Sequence, residues 1–235
     1  MSLKIHRADK RGIADHGWLK SYFSFSFAEY HDTHRMGFGV LRVINDDTVE
    51  ASRGFGMHQH RDMEIVSIVT KGELHHKDSE GNSGVVKAGE VQYMSAGSGV
   101  YHSEFASPDS EACLFQIWIR PSENGGVPKY NQRDFRENKT KNEWITIVSP
   151  NGNDNSITIK QDASIYIAKL DKQREIITKS TSQNHGRLIF VISGSIKVAT
   201  HILHARDELQ ITDENKYTIT ALEDSEILLF DVAMD

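Results

Sequence analysis

Four residues with metal-ligand chemistry occur in two short patterns. His58 and His60 are separated by one residue, and His102 and Glu104 repeat that spacing. On an extended strand, side chains two residues apart point to the same face, so each pair would present both of its groups together. If the two strands belong to one barrel, all four groups can converge on one point. The spacing therefore predicts a site built from three imidazoles and one carboxylate.

This mixed set of nitrogen and oxygen donors favours some metals over others. Neutral imidazole and carboxylate ligands suit Fe(II), Ni, Mn, Cu(II) or Zn, whereas Ca and Mg prefer sites made of oxygen. The chain has a single cysteine, Cys113, so neither a thiolate cluster nor an intramolecular disulfide is expected. Four protein ligands would leave room on a five- or six-coordinate ion for water, a substrate oxygen or O₂.

The elements that must position these residues are predicted to be strands. The chain consists of short β-branched or aromatic runs broken by Gly, Asn and Asp, and few segments have helical periodicity. Such runs with closely spaced turn signals are typical of an all-β sandwich or barrel. A hairpin tip is predicted at Glu80-Gly81-Asn82. Examples of the runs are Phe38 to Ile44, Ile65 to Val69, Cys113 to Ile119, Leu188 to Ile192 and Ile227 to Val232.

Three weak internal matches occur in the same order along the chain, at separations of 115 to 122 residues. This self-similarity predicts two copies of one β-domain. A polar stretch from Pro121 onward is the best candidate for the connector, and we expect domains at residues 1–134 and 135–235. The matching segments are 65–72 with 188–194, 88–94 with 205–211, and 110–119 with 225–232.

The second copy lacks a matching ligand set. His58 and His60 align with Ser180 and Ser182, and the second ligand pair aligns with apolar residues. We therefore expect one metal, in the N-terminal copy, with the C-terminal copy supporting and closing it. The histidines near the aligned positions form no H-x-H or H-x-E pair and are His185, His201 and His204.

Composition narrows the classes of protein to consider. The 235 residues include 26% charged and 38% hydrophobic residues, a balance that suits a globular protein with a substantial core. The formal net charge of −6 argues against direct nucleic-acid binding. The longest apolar run is about five residues, far below the roughly 18 that span a bilayer. With no signal-peptide core and one cysteine, we expect a cytoplasmic protein without membrane contact.

The segment from Gly56 to Glu104 carries a family resemblance. The pattern G-x-H-x-H-R-D-x-E, a glycine eight residues after that glutamate, and AGEVQYMSAGSGVYHSEF closely resemble the pirin branch of the cupin superfamily. The segments HGWLKSYFSFSFAEY and MGFGVLRVINDD also resemble this branch, above all its bacterial pirin-like quercetinases. The resemblance implies an all-β bicupin: two antiparallel β-barrels of the double-stranded β-helix type, with a mononuclear metal in the N-terminal one.

The resemblance also implies a ligand set. It gives His58, His60, His102 and Glu104 as ligands of one divalent metal, with Fe(II) preferred and Ni, Cu, Mn or Zn possible. Many other cupins take their carboxylate from the first motif, which here is Glu64, and Glu64 shares the parity of the two histidines if the strand stays regular. We rank Glu104 first because GVYHSE is the pirin form.

The activity implied is that of a quercetinase-type dioxygenase, which opens the central ring of flavonols with O₂ and releases CO. Glu104 would be both ligand and catalytic base. The alternatives are a non-enzymatic, pirin-like metal-binding regulator with a protein partner, and an oxygenase whose physiological substrate is another enediol or aromatic compound. A monomer is expected. Weaker candidates for the substrate pocket are Phe55, Met57, Met94, Phe115, Gln116 and Ile117.

Overall fold

The computed structural model describes residues 3–136, 138, 140–180, 182–212 and 216–234. Nearly all regular structure is β, which confirms the predicted fold class; the two helices described are short 3-10 helices, Ala8–Lys10 and Asn153–Asn155. No helix in the described part of the chain has the length and apolar character needed to cross a membrane. In chain order the strands are β1 (Leu3–His6), β2 (Gly12–Asp15), β3 (Leu19–Phe23), β4 (Leu41–Val49), β5 (Gly54–His60), β6 (Glu64–Lys71), β7 (Glu73–Asp78), β8 (Ser83–Lys87), β9 (Glu90–Ser95), β10 (Val100–Ala106), β11 (Ala112–Ile119), β12 (Lys129–Asp134), β13 (Ile145–Ser149), β14 (Ile157–Thr158), β15 (Ala163–Leu170), β16 (Glu175–Ile177), β17 (His185–Ser193), β18 (Ser195–Val198), β19 (His201–His204), β20 (Glu208–Ile211), β21 (Thr218–Ala221) and β22 (Ser225–Ala233).

Contacts divide the chain into two compact units. One unit comprises Gly12–Gly37 and Leu41–Glu137; the other comprises Met1–Arg11, Phe38–Val40 and Asn138–Asp235. We call them the N-terminal and C-terminal units.

In the N-terminal unit, an antiparallel sheet ordered β12-β9-β6-β11-β4-β3-β2 accompanies a smaller one ordered β5-β10-β7-β8. Alternate side chains of both sheets enter one core, for example Val69 and Leu114 from the large sheet with Leu74 and Val86 from the small one. Each such fully buried side chain contributes about 1.5–3 kcal/mol. The apolar alternation thus fixes which face of each strand points inward.

The C-terminal unit repeats this plan with sheets ordered β1-β20-β17-β22-β15-β13-β14 and β16-β21-β18-β19. Its core includes Ile189 and Leu229 from the large sheet with Ile196 and Ile219 from the small one. β1 pairs with β20, so Leu3–His6 lies in this unit and not in the N-terminal domain to which the sequence had assigned it.

The predicted hairpin tip at Glu80-Gly81-Asn82 is confirmed as the turn between β7 and β8. Gly81 has a φ of 91°, a left-handed conformation that glycine adopts without strain. The Asp78 carboxylate stabilises the turn, because its Oδ1 accepts hydrogen bonds from the backbone N–H groups of Glu80 and Asn82 at 3.0 and 2.8 Å. This turn fixes the end of β7, which lies beside β10.

Candidate metal centre

Three histidines meet on the inner face of β5 and β10. His58 and His102 are directly opposite each other in the strand register, and His60 lies two residues along β5. The ring centroids of His58 and His102 are 4.4 Å apart, and each lies 4.8 Å from that of His60. One nitrogen from each ring lies within 4.8 Å of the others, close enough to share a metal ion.

Glu104 lies close to His102, on the far side of a β-bulge in β10. The register shifts between His102 and Glu104, which places Glu104 opposite Phe55. The Glu104 side chain is buried, and its Oε1 and Oε2 accept hydrogen bonds from Gln92 Nε2 at 2.7 Å and Gln116 Nε2 at 2.9 Å. The carboxylate is therefore held in place by two amides from the large sheet.

Burial controls the charge of these groups. Desolvation, followed by repulsion from neighbouring histidines, lowers the pKa of His102 to about 2 and that of His60 to about 4. Both imidazoles are therefore neutral at pH 7, the form that binds metals. Desolvation raises the pKa of Glu104 to about 7, against the opposing effect of its hydrogen bonds to the two glutamines.

The unpartnered nitrogens fit a metal ion. Neither ring nitrogen of His102 has a hydrogen-bond partner among the residues described, although both are buried. Burying an unpaired polar group costs about 1–3 kcal/mol, which a coordinating ion would offset. His58 Nδ1 donates to the Gly56 carbonyl oxygen at 2.8 Å, and this leaves Nε2 as the free donor atom of a neutral ring. The donor set matches a divalent transition metal.

Glu64, the alternative carboxylate, lies away from the histidines. β5 ends at His60, and the chain turns through Asp62, which has a φ of 51°, before β6 begins in the other sheet. The regular strand that the parity argument required is therefore interrupted. The Glu64 carboxylate accepts hydrogen bonds from the Tyr93 hydroxyl and, at 2.7 Å, from Ser95 Oγ.

A fourth histidine lies beside the cluster and was missed from the sequence. His76 on β7 is opposite Glu104, and these two residues with His102 form a second group whose ligand atoms lie within 4.8 Å. Its ring stacks on Tyr130 at 4.7 Å, and its Nε2 lies 3.5 Å from Asp78 Oδ2. The H-x-D spacing of His76 and Asp78 could have identified it. The neighbouring His75 points to the opposite face.

A cavity of about 900 Å³ adjoins the cluster, and His58, His60 and Glu104 line it. This volume is within the range of roughly 300–1,000 Å³ that small-molecule sites occupy. Its polar lining includes Asn45 and Asp47 on β4. Its aromatic lining consists of Trp18, Phe23, Phe27, Tyr30, Phe55 and Trp118.

The six weaker pocket candidates divide into two groups. Phe55 and Gln116 line the cavity. Because side chains alternate along a strand, the inward position of Gln116 on β11 turns its two neighbours to the other face. The remaining four lie away from the cavity: Met57 is 55% exposed, Met94 packs in the core with Ile65, and Phe115 and Ile117 are buried on the opposite face of β11.

Comparison with known proteins gives matches along almost the whole chain. The Pirin family model matches residues 5–119, and the model for the quercetinase C-terminal cupin domain matches residues 146–232. A quercetin 2,3-dioxygenase from Escherichia coli (strain K12) is 43% identical over 229 residues, 97% of each chain. A pirin-like protein from Caulobacter vibrioides is 41% identical over 226 residues, which cover 96% of this chain and 97% of that protein.

Solved structures agree. The bacterial pirin YhhW in complex with nickel(II) from Escherichia coli has a TM-score of 0.93 and 41% identity, covering 99% of this chain and 100% of that one. A quercetin 2,3-dioxygenase from Acinetobacter baumannii, at 21% identity, a TM-score of 0.80 and coverage of 98% and 85%, shares the fold. The predicted pair of cupin domains is confirmed. From its motifs, its fold and these relatives, this chain belongs to the pirin family of the cupin superfamily.

Proposed function

We propose that this protein is a metal-dependent dioxygenase of the quercetinase type, which opens the central ring of flavonols with O₂ and releases CO. The observation that carries the proposal is a cluster of three imidazoles beside an aromatic-lined cavity of about 900 Å³, which His58, His60 and the buried Glu104 carboxylate line. The quercetin 2,3-dioxygenase relative at 43% identity supports the same assignment.

His58, His60, His102 and Glu104 would hold the metal. We propose Fe(II) as the native ion; Ni, Cu, Mn and Zn suit the same donors and would compete during purification. When bound, the ion would supply the Lewis-acid and redox chemistry that allows an electron-rich flavonolate to react with O₂.

Glu104 is the proposed proton acceptor. Ring opening starts from the flavonol with its 3-hydroxyl deprotonated, and the carboxylate is the acidic group that the cavity shares with the histidine cluster. The amides of Gln92 and Gln116 donate to its two oxygens, so they orient the carboxylate and leave its remaining lone pairs for the hydroxyl proton.

The aromatic wall would orient a flat substrate and exclude water. Trp18 and Phe55 meet edge to face at 5.4 Å, and Phe27 meets Trp118 in the same way at 5.2 Å. Such pairs form stiff apolar surfaces on which a planar ring can stack. Positioning the reacting carbons beside the histidine cluster would then lower the barrier by removing orientational freedom.

The test is oxygen consumption by anaerobically purified, Fe(II)-loaded protein supplied with quercetin, with CO trapped and quantified. We expect equal amounts of O₂ consumed and CO released. Glu104→Gln and His60→Ala should each lose activity by about 10²-fold or more. His75→Ala is the matched control, because this half-exposed histidine lies next to His76 but on the outer face.

Unchanged turnover in both site variants, or no turnover by the loaded wild-type protein, contradicts the proposal. In the second case, a protein partner captured with Fe(II)-loaded but not Fe(III)-loaded chain would favour the regulatory alternative.

A further inference from the structure

The cavity beside the metal cluster has a polar wall formed by Asn45, Asp47 and Ser21, which the proposed reaction does not use. Asn45 and Asp47 are two residues apart on β4 and therefore share a face. They are only 2% and 3% exposed, and both line the cavity. Asp47 lies opposite Ser21 on β3, and Ser21 also lines the cavity. Buried polar side chains that face an aromatic cavity are suited to recognise a polar group of its occupant.

The polar wall is linked to Glu104 through Gln116. Gln116, which donates to the Glu104 carboxylate, lies directly opposite Asn45 in the register of β11 and β4. Asp47 lies two residues further along β4, a rise of roughly 7 Å. A planar molecule whose reacting hydroxyl meets Glu104 would therefore have its remote substituents beside Asn45 and Asp47.

The polar wall presents hydrogen-bond acceptors, so a ligand bound there must supply the donors. Asn45 Oδ1 is buried and has no hydrogen-bond partner within the described part of the chain. A buried acceptor without a donor destabilises the protein by about 1–3 kcal/mol, and a ligand hydroxyl would remove that cost. An ionised Asp47 carboxylate also only accepts hydrogen bonds.

The charge of the lining disfavours anionic substituents at the polar wall. No lysine or arginine occurs among the described residues that line the cavity. A ligand carrying a carboxylate, sulfate or phosphate would therefore meet like charge at the polar wall. The acidic residues of the lining are Asp15, Glu29, Asp47 and Glu104.

We propose that Asn45 and Asp47 are specificity-determining residues that accept hydrogen bonds from phenolic hydroxyls remote from the reacting one. The substrate class is then an uncharged, polyhydroxylated aromatic compound. This inference rests on the proposed dioxygenase function and narrows its substrate.

The experiment measures binding separately from turnover. Flavones lack the 3-hydroxyl and cannot enter the proposed reaction, so their dissociation constants can be measured on Zn(II)-loaded protein by quenching of tryptophan fluorescence. The probes are unsubstituted flavone, 5,7-dihydroxyflavone, 5,7,3′,4′-tetrahydroxyflavone and the 4′-sulfate of the last. We expect the tetrahydroxyflavone to bind on the order of tenfold or more tightly than unsubstituted flavone and its sulfate.

The variants Asn45→Leu and Asp47→Asn should reduce that ratio several-fold. Asp46→Asn is the matched control: it removes the same charge from the same strand, but on the face opposite the cavity. It should retain the full ratio. If Asn45→Leu does not fold, the isosteric Asp47→Asn variant and the probe series on wild-type protein still test the inference.

A wild-type ratio near one, a sulfate that binds as tightly as its parent, or an unchanged ratio in both folded variants would overturn the inference. Hydroxyl-dependent binding without any flavonol turnover would instead contradict the proposed function while leaving the subsite in place. Flavonol turnover with binding that does not depend on the remote hydroxyls would contradict the subsite and leave the proposed function in place.

Discussion

Among single residues, Glu104 has a carboxylate that is oriented by its neighbours. Gln92 Nε2 donates to Glu104 Oε1 at 2.7 Å, and both side chains are buried. Partners of a ligating carboxylate typically change metal affinity by about 10–100-fold when removed. Replacing Gln92 tests whether the observed hydrogen bond orients Glu104 for a metal.

We expect Gln92→Leu to weaken binding of Fe(II) or Co(II) by about 10-fold or more, measured by equilibrium titration against a chelator of known affinity. Gln59→Leu makes the same substitution at an exposed position on β5 and should bind normally. Equal affinities for the two variants would show that Glu104 does not need this amide.

The individual site residues could be predicted from the sequence only in part. The two-residue spacing predicted that His58 and His60 share a face and that His102 and Glu104 share one, because it depends only on strand geometry. Strand parity alone did not decide between Glu104 and Glu64, since the turn at Asp62 that separates Glu64 from the histidines has no clear signature in the sequence; the ranking of Glu104 rested on the family resemblance.

At the scale of elements, β5 and β10 approach each other closely at Gly54. A Cβ atom at this position would overlap the Glu104 carbonyl oxygen and lie 2.5 Å from the Phe105 Cα, so any larger residue must push the strands apart. At Gly56, two residues along the same strand, the equivalent position has no atom of the described residues within 4 Å. The strand pair that holds the histidines thus depends on one glycine and not on the other.

We expect Gly54→Ala to cost about 1–3 kcal/mol of unfolding free energy and to weaken metal binding, because the displaced β5 carries His58 and His60. Gly56→Ala is the matched control and should change neither quantity by much. Thermal unfolding followed by circular dichroism gives the first quantity, and metal titration gives the second. Similar behaviour of the two variants would refute the close-packing argument.

The strands themselves were largely predictable, whereas their irregularities were not. Runs such as Ile65 to Val69 and Leu188 to Ile192 are apolar enough to identify as buried strands, and both lie in central strands of the large sheets. The bulge between His102 and Glu104 is a property of strand pairing, which no local pattern records. The face of β11 that points toward the cavity is also set by strand pairing. The sequence alone did not reveal it, and the assignment of Phe115 and Ile117 to the cavity was therefore wrong.

At the scale of the whole molecule, the internal repeat is the main feature that the sequence predicted. Each unit has a larger sheet and a four-stranded one, as two copies of one domain require. The placement of β1 was beyond the sequence, because a four-residue strand that pairs with β20 depends on a contact about 200 residues away.

The repeat also leads to a prediction about stoichiometry. Within the described residues, both groups that could hold a metal ion lie in the N-terminal unit. In the C-terminal unit, the positions aligned with His102 and Glu104 are Ile219 and Ala221, which pack in its apolar core. An apolar core offers no lone pair to an ion.

We therefore expect one tightly bound ion per chain, measured by elemental analysis after dialysis. The double variant His201→Gln/His204→Gln should keep that ratio, whereas His58→Gln/His60→Gln should lose the ion. Because an ion bound only by the folded state adds about 2.7 kcal/mol at 100 times its Kd, metal should raise the Tm of the first variant and not of the second. Loss of metal from the His201→Gln/His204→Gln protein would assign ligands to the C-terminal unit, and two ions per wild-type chain would refute a single metal centre.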